Sequence, residues 1–330
     1  MHRVLVVGAG SIGERHLRCF LATGRARVSF AEVNPELRAT IAARYPDAVA
    51  HATLEAAAGE PIDAAVVATP TPLHVPQATY LVERGAHVLI EKPLSVVLDG
   101  VDALADLAAR NRNVVAVGYV MRAQPALAEM RAAVASGRFG RPLELIAVAG
   151  QDFAVLRPAY RGTYYARRAS GGGAVQDALT HLFNAGEWLV GPIDRVVADA
   201  AHLKVDGVDV EDTVHVLARH GGVLASYALN QHQAPNETTI TVVCERGTAR
   251  FDAHAGRWLS CERPGEPWAD HGPTSPPERD ATFVRQTHSF LDALEGRGLP
   301  LCTLNEGVQT LRVNLATLDS IENGRWVSIL

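Results

Sequence analysis

Arg3-Val4-Leu5-Val6-Val7-Gly8-Ala9-Gly10-Ser11-Ile12-Gly13 is a β-branched apolar run that breaks directly into a glycine-rich turn. Arg3–Val7 predicts a buried strand, Glu14–Leu21 a helix and Val28–Glu32 a second strand. That order of strand, glycine turn, helix and strand is the unit that cradles a dinucleotide. Gly8 allows the tight turn, Gly10 lets the backbone approach a pyrophosphate, and Gly13 lets helix and strand pack closely. The diphosphate then rests on the first N–H groups of the helix, those of Ser11, Ile12 and Gly13. Glu32, 19 residues beyond Gly13, stands where a carboxylate accepts from the ribose hydroxyls. Its charge opposes a 2′-phosphate and no Arg directly follows it, so NAD is favoured over NADP.

The alternation continues outward from this unit. Pro35–Tyr45, Pro72–Arg84 and Leu94–Arg110 read as helices, and Ala64–Ala68, His87–Ile90 and Val114–Gly118 as short buried strands. Continuous apolar strands between helices imply a doubly wound parallel sheet covered on both faces, an α/β Rossmann domain. Ligands of such sheets bind beyond the carboxyl ends of the strands. Three tight segments fall there: Thr69-Pro70-Thr71-Pro72-Leu73-His74, Glu91-Lys92-Pro93, and Tyr119–Gln124 with Arg122. Thr69, Pro70, His74, Glu91 and Lys92 are accordingly expected on the cofactor, and Arg122 on the substrate. Of 31 basic residues only Lys92 and Lys204 are lysine, which singles out Lys92 as a compact, titratable amine at a strand end.

Beyond residue 122 the material changes. After a helix over Gln124–Ser136 come β-like segments at Leu143–Gln151, Arg195–Lys204, Val210–Arg219, Gly222–Gln231, Thr238–Glu245 and Thr248–Ala253. Hairpin turns at His220-Gly221 and Glu245-Arg246-Gly247 predict a large, mainly antiparallel open sheet. Proline-rich Cys261–Asp280 reads as an exposed loop, and helices over Thr282–Glu295 and Asn305–Asn323 close the chain. The expected division is 1–122 for cofactor binding and 123–330 for an α+β substrate-binding and oligomerisation domain. Homodimers or homotetramers through the exposed sheet face are expected.

Within the second half, Gly171-Gly172-Gly173-Ala174-Val175-Gln176-Asp177-Ala178-Leu179-Thr180-His181 feeds a helix that runs to about Val190. Asp177 and His181 share one helical face. Imidazole is the usual proton carrier near neutral pH, and a carboxylate one turn away can orient it. The spacing alone equally suits an Asp favoured by the helix dipole beside a surface His. The preceding Gln151–Arg168 carries Tyr160, Tyr164 and four arginines. These suit either a hydroxylated, anionic ring or a solvated basic loop or subunit contact.

The 31 basic and 36 acidic residues give a net charge of −5, which argues against nucleic acid. The apolar runs are far shorter than the ~18 residues a membrane span needs, so neither a membrane nor a secretory leader is expected and the location reads as cytoplasmic. Cys19, Cys244, Cys261 and Cys302 show no ligand spacing, so no metal site and no disulfide are expected.

Taken together, the glycine turn, Glu32, Thr69–His74, Glu91-Lys92-Pro93, Gly137–Pro142 and Gly171–His181 resemble the glucose-fructose oxidoreductase / inositol dehydrogenase (Gfo/Idh/MocA) family along essentially the whole chain. The resemblance implies a Rossmann domain, a C-terminal open sheet, a nicotinamide cofactor, and Lys92, Asp177 and His181 in the catalytic positions. It implies an NAD-dependent dehydrogenase acting on a secondary hydroxyl of a sugar, polyol or sugar derivative. Relatives that keep the cofactor and run a redox-neutral glycosidase or dehydratase reaction form one alternative, and a non-catalytic NAD-binding sensor another. Many members carry Asp three residues after the histidine, where this chain has Asn184. Asn donates as well as accepts, so a different substrate hydroxyl pattern is expected there.

Overall fold

The computed structural model describes residues 1–272 and 278–329. Its contacts divide the chain into two units, Met1–Ala123 with Glu278–Val308, and Gln124–Pro277 with Gln309–Leu330. Residues 278–308 thus return to the first unit, a contribution that a single cut after residue 122 leaves out.

The first unit is built on six parallel strands: β1 (His2–Val7), β2 (Ala26–Ala31), β3 (Val49–His51), β4 (Ala64–Val67), β5 (His87–Ile90) and β6 (Val115–Val117). Their order is β3-β2-β1-β4-β5-β6, so the chain reverses direction across the sheet between β1 and β4. The crevice at that reversal is where doubly wound sheets take ligands. The helices between them are α1 (Ser11–Ala22), α2 (Pro35–Arg44), α3 (Leu54–Ala57), α4 (His74–Glu83) and α5 (Val101–Asn111). Val4, Val6, Val28, Phe30, Ala64 and Val66 form the sheet side of the core against Leu17 and Phe20 of α1.

In the second unit α6 (Pro125–Ala135) leads to β7 (Pro142–Asp152) and the short α7 (Phe153–Leu156). Three 3-10 turns then precede a wide π turn at Val175–Leu179, which runs into α8 (Thr180–Val190). Strands β8 (Arg195–Ala201), β9 (Thr213–His220), β10 (Val223–Asn230), β11 (His232–Cys244), β12 (Gly247–Asp252), β13 (Arg257–Cys261) and β14 (Ala269–Asp270) follow. After α9 (Ala281–Leu294) and α10 (Leu304–Asn323), β15 (Val327–Ser328) completes the nine-stranded sheet. Its order is β14-β13-β12-β11-β7-β10-β9-β8-β15, antiparallel except for the β7–β10 pair. Both expected hairpins are present, β9–β10 and β11–β12.

Three expectations on elements need correction. Residues 94–100 are not helical: α5 starts only at Val101, behind Gly100 at φ +75°. Ser95 Oγ instead accepts the Val97 N–H, which holds the segment in a turn. The expected loop at Cys261–Asp280 contains β14, paired to β13, while its residues 273–277 lie outside the described residues. The helix after the glycine triplet begins as a π turn, not as α-helix.

Candidate active site

In the first unit the site is assembled at the carboxyl ends of β1, β2, β4 and β5, adjacent strands in the sheet. Gly8 has φ +85°, and a Cβ on it would stand 2.9 Å from the Ala68 carbonyl oxygen. A Cβ on Gly13 would run into the Gly8 carbonyl, whereas one on Gly10 would meet nothing within 4 Å. Two of these glycines thus serve packing, and the third keeps open a cradle in front of α1. The first-turn N–H groups at Ser11, Ile12 and Gly13 have no intrahelical acceptor, and the helix dipole favours negative charge there. Both features fit a pyrophosphate.

Glu32 follows β2 directly and is fixed from two sides. Its Oε2 accepts the Ala9 N–H and its Oε1 the Asn34 N–H, both at 2.9 Å. This anchors the carboxylate against the glycine turn with lone pairs left for ribose hydroxyls. Asn34 in turn caps α2 by accepting from Glu36 and Leu37. Thr69 Oγ1 donates to Gln77, and Pro70 precedes the turn at Thr71–Leu73. His74 is buried, with Nε2 2.8 Å from the Thr69 carbonyl and Nδ1 3.0 Å from the Pro93 carbonyl. Burial holds this imidazole below its ordinary range.

Glu91 and Lys92 follow β5, and a cis peptide joins Lys92 to Pro93. The Lys92 backbone N–H donates to Glu91 Oε2 at 3.1 Å. Glu91 Oε1 lies 2.6 Å from His16 Nε2. Burial alone would raise the Glu91 carboxyl, but the His16 hydrogen bond and the Lys92 ammonium together hold it below the usual carboxylate range. His16 is a site residue that the sequence reading missed. Its signal is a histidine within the buried stripe of α1, between Gly13 and Phe20.

In the second unit Asp177 lies in the π turn and His181 in the first turn of α8, both half-buried. The Tyr164 hydroxyl donates to Asp177 Oδ1 at 2.5 Å, which joins the 3-10 turn that carries the tyrosine to the π turn that carries the carboxylate. Glu211 steadies the glycine triplet by accepting the Val175 N–H and pairing with Arg168.

Tyr164 is exposed over 42% of its surface. The other expected substrate contacts have partners within their own units. Tyr160 packs with Phe153 and Tyr165 and donates its hydroxyl to the Asp206 carbonyl. Arg122 is buried in the first unit, bonded to Glu306 and to the Leu301 carbonyl. Asn184 is buried and donates to Thr310 Oγ1 on α10. Two of the four arginines offered for an anion are engaged within the unit, Arg161 with Asp206 and Arg168 with Glu211 and Glu322.

Residues 2–119 match the model of an oxidoreductase family with an NAD-binding Rossmann fold, and residues 127–250 match the GFO/IDH/MocA C-terminal domain. The chain belongs to the Gfo/Idh/MocA family. This member is 28% identical to a 1,5-anhydro-D-fructose reductase from Ensifer adhaerens, over all of this chain and 99% of that protein. It is 32% identical to myo-inositol dehydrogenase Hyg17 from Streptomyces leeuwenhoekii, over 66% of this chain and 65% of that one. Its fold is that of a levoglucosan dehydrogenase solved with NADH and levoglucosan, with a TM-score of 0.91, 22% identity and 99% coverage of both chains. Among the described residues no helix of this family member is long and apolar enough to cross a membrane, and no cluster of His, Cys, Asp and Glu could hold a metal.

Proposed function

We propose that this family member is an NAD-dependent dehydrogenase that oxidises a secondary hydroxyl of a sugar or polyol. The observation that carries this reading is Lys92 at the carboxyl end of β5, in the sheet whose β1 ends in the glycine cradle. A protein that only bound NAD would need no amine there. The named relatives act on anhydrosugars and inositols, which supports the substrate class.

When bound, NAD supplies the hydride acceptor; the cradle at Gly10, the N–H groups of Ser11 to Gly13 and the Glu32 carboxylate fit its diphosphate and ribose. His181 takes the hydroxyl proton, and Asp177, held by Tyr164, orients the imidazole. Lys92 donates to the reacting oxygen and offsets its growing negative charge. In the reverse direction the same imidazole returns the proton. Because Arg161 and Arg168 are already ion-paired, a neutral polyol is favoured over an anionic one. The open face of the nine-stranded sheet joins copies of the chain into a dimer or tetramer.

The test is a spectrophotometric screen of NAD and NADP against neutral and acidic sugars and polyols. NADH should accumulate with NAD and a neutral member of the panel. Substrate conversion without NADH would move the protein to the redox-neutral members of the family. Tight NADH binding with no conversion across the panel would make it a sensor.

A further inference from the structure

His16 and Glu91 form a buried pair between the cofactor-binding helix and the lysine segment. His16 has no exposed surface and lies on α1 three residues beyond Gly13, while Glu91 is only 6% exposed. The imidazole Nε2 meets one carboxylate oxygen at 2.6 Å, and the other oxygen accepts the Lys92 N–H at 3.1 Å. The pair is closely walled. Phe283 sets its ring edge-on to the imidazole, with centroids 5.6 Å apart. Gly118 makes room for the carboxylate, since a Cβ there would stand 3.0 Å from Oε1. Nδ1 of His16 has no hydrogen-bond partner among the described residues. A proton on Nε2 makes the ring a donor to Glu91.

We propose that His16 is a positioning residue for Lys92, acting through Glu91 to fix the lysine segment and to keep a carboxylate charge beside its ammonium. The proposal rests on the reading of Lys92 as the donor to the reacting oxygen. It ties the helix that receives the diphosphate to the amine that polarises the substrate. The charged and titratable groups around the carboxylate are His16 from α1, Lys92 on the adjoining residue and His74 at the start of α4. Both ring nitrogens of His74 face backbone carbonyls, those of Pro93 and Thr69, so it does not replace His16 there. Glu91 stays ionised because the His16 bond and Lys92 outweigh its burial. Loss of the His16 donor therefore lets Glu91 take a proton at higher pH, which weakens its hold on the ammonium.

The chain makes this directly measurable, because its only lysines are Lys92 and Lys204. In a Lys204→Arg background, reductive methylation with 13C-formaldehyde labels Lys92 and the N-terminal amine, and NMR follows each against pH. His16→Leu should raise the acidic midpoint of the Lys92 methyl signal, where the neighbouring Glu91 takes its proton, by about one pH unit. On unmethylated protein it should cut kcat at least tenfold, move the acidic limb of kcat upward and leave NADH binding within about twofold of the parent. His16→Gln, whose amide nitrogen reaches the place of Nε2, should restore both the midpoint and the limb. If His16→Leu does not fold, His16→Asn, too short to reach Glu91, takes its place. An unchanged acidic midpoint of the Lys92 signal in the folded variant, or a Gln variant as impaired as Leu, overturns the proposal. Because the NMR reads the amine and not turnover, the two claims fail separately. An active Lys92→Ala enzyme would remove the role of the lysine, whereas an unmoved midpoint would remove only the role of His16.

Discussion

At the residue scale, the chemistry is concentrated in a few side chains whose neighbours explain them. Lys92 is the sharpest case, and Lys92→Ala should lower turnover about a thousandfold while NADH affinity stays within about threefold. Fluorescence titration with NADH beside steady-state rates checks this, and near-normal turnover would end the proposed mechanism. Lys92 could be picked out from sequence because two lysines among 31 basic residues leave few places for a titratable amine. His16 could not, because its meaning lies in a carboxylate 75 residues away. Tyr160 and Tyr164 show the other limit. They are four residues apart in a stretch of 3-10 turns, with no period to say which ring points inward. Only the structure shows Tyr160 in an aromatic cluster and Tyr164 on Asp177.

At the scale of elements, the glycine turn separates two kinds of glycine that a motif treats alike. Gly13→Val sets a side chain against the Gly8 carbonyl and should destabilise the fold by about 3 kcal/mol. Gly10→Val projects into open space at φ −62°, so its melting temperature should stay near the parent value while NADH binding weakens about a hundredfold. Equal losses of stability in the two variants would contradict this division. A second element-level device is the loop ahead of β9. Buried Asp212 accepts the N–H groups of Leu203, Lys204 and Val205 and the Thr213 hydroxyl. Burial would raise this carboxyl, but those donors hold it below the ordinary range. A depressed folded-state value means stabilisation that is complete above the unfolded value, about pH 4, and is lost as pH falls through the folded one. Asp212→Asn should therefore cost about 2 kcal/mol at pH 7, with the gap in urea midpoints closing towards pH 3. An equal gap at both pH values would show that the charge is not what matters. Strong local periodicity made β1, α1 and the two hairpins readable, while β3 and β14, of three and two residues, are too short to carry a pattern. The helix expected from Leu94 failed because Ser95 and Gly100 favour a turn over an otherwise helix-compatible apolar run.

At the scale of the whole molecule, alternate residues along the strands of the nine-stranded sheet are buried and exposed, which leaves apolar side chains exposed on one side. Along β9, Val214, Val216 and Ala218 are buried while His215 and Leu217 are exposed. Pairing carries that exposed side across the sheet: Leu217 stands opposite Ser226, and Ser226 opposite Ile146. Leu224, two residues from Ser226, lies on the same side, opposite Arg219. Leu217, Leu224 and Ile146 are 56%, 52% and 36% exposed. The period-two alternation of these strands was legible in sequence. The parallel β7–β10 pairing was not, because partners more than 70 residues apart leave no local trace. Apolar side chains in register on an open sheet face are the material of a subunit interface, which needs about 800 Å² from each partner. Light scattering at micromolar concentration should accordingly give the mass of a dimer or tetramer. A Leu217→Asp, Leu224→Glu double variant puts two carboxylates on that face and should reduce the mass to one chain, with NADH binding retained because the cradle lies in the other unit. A wild-type chain that is already monomeric, or a double variant that keeps its mass, would move the interface elsewhere.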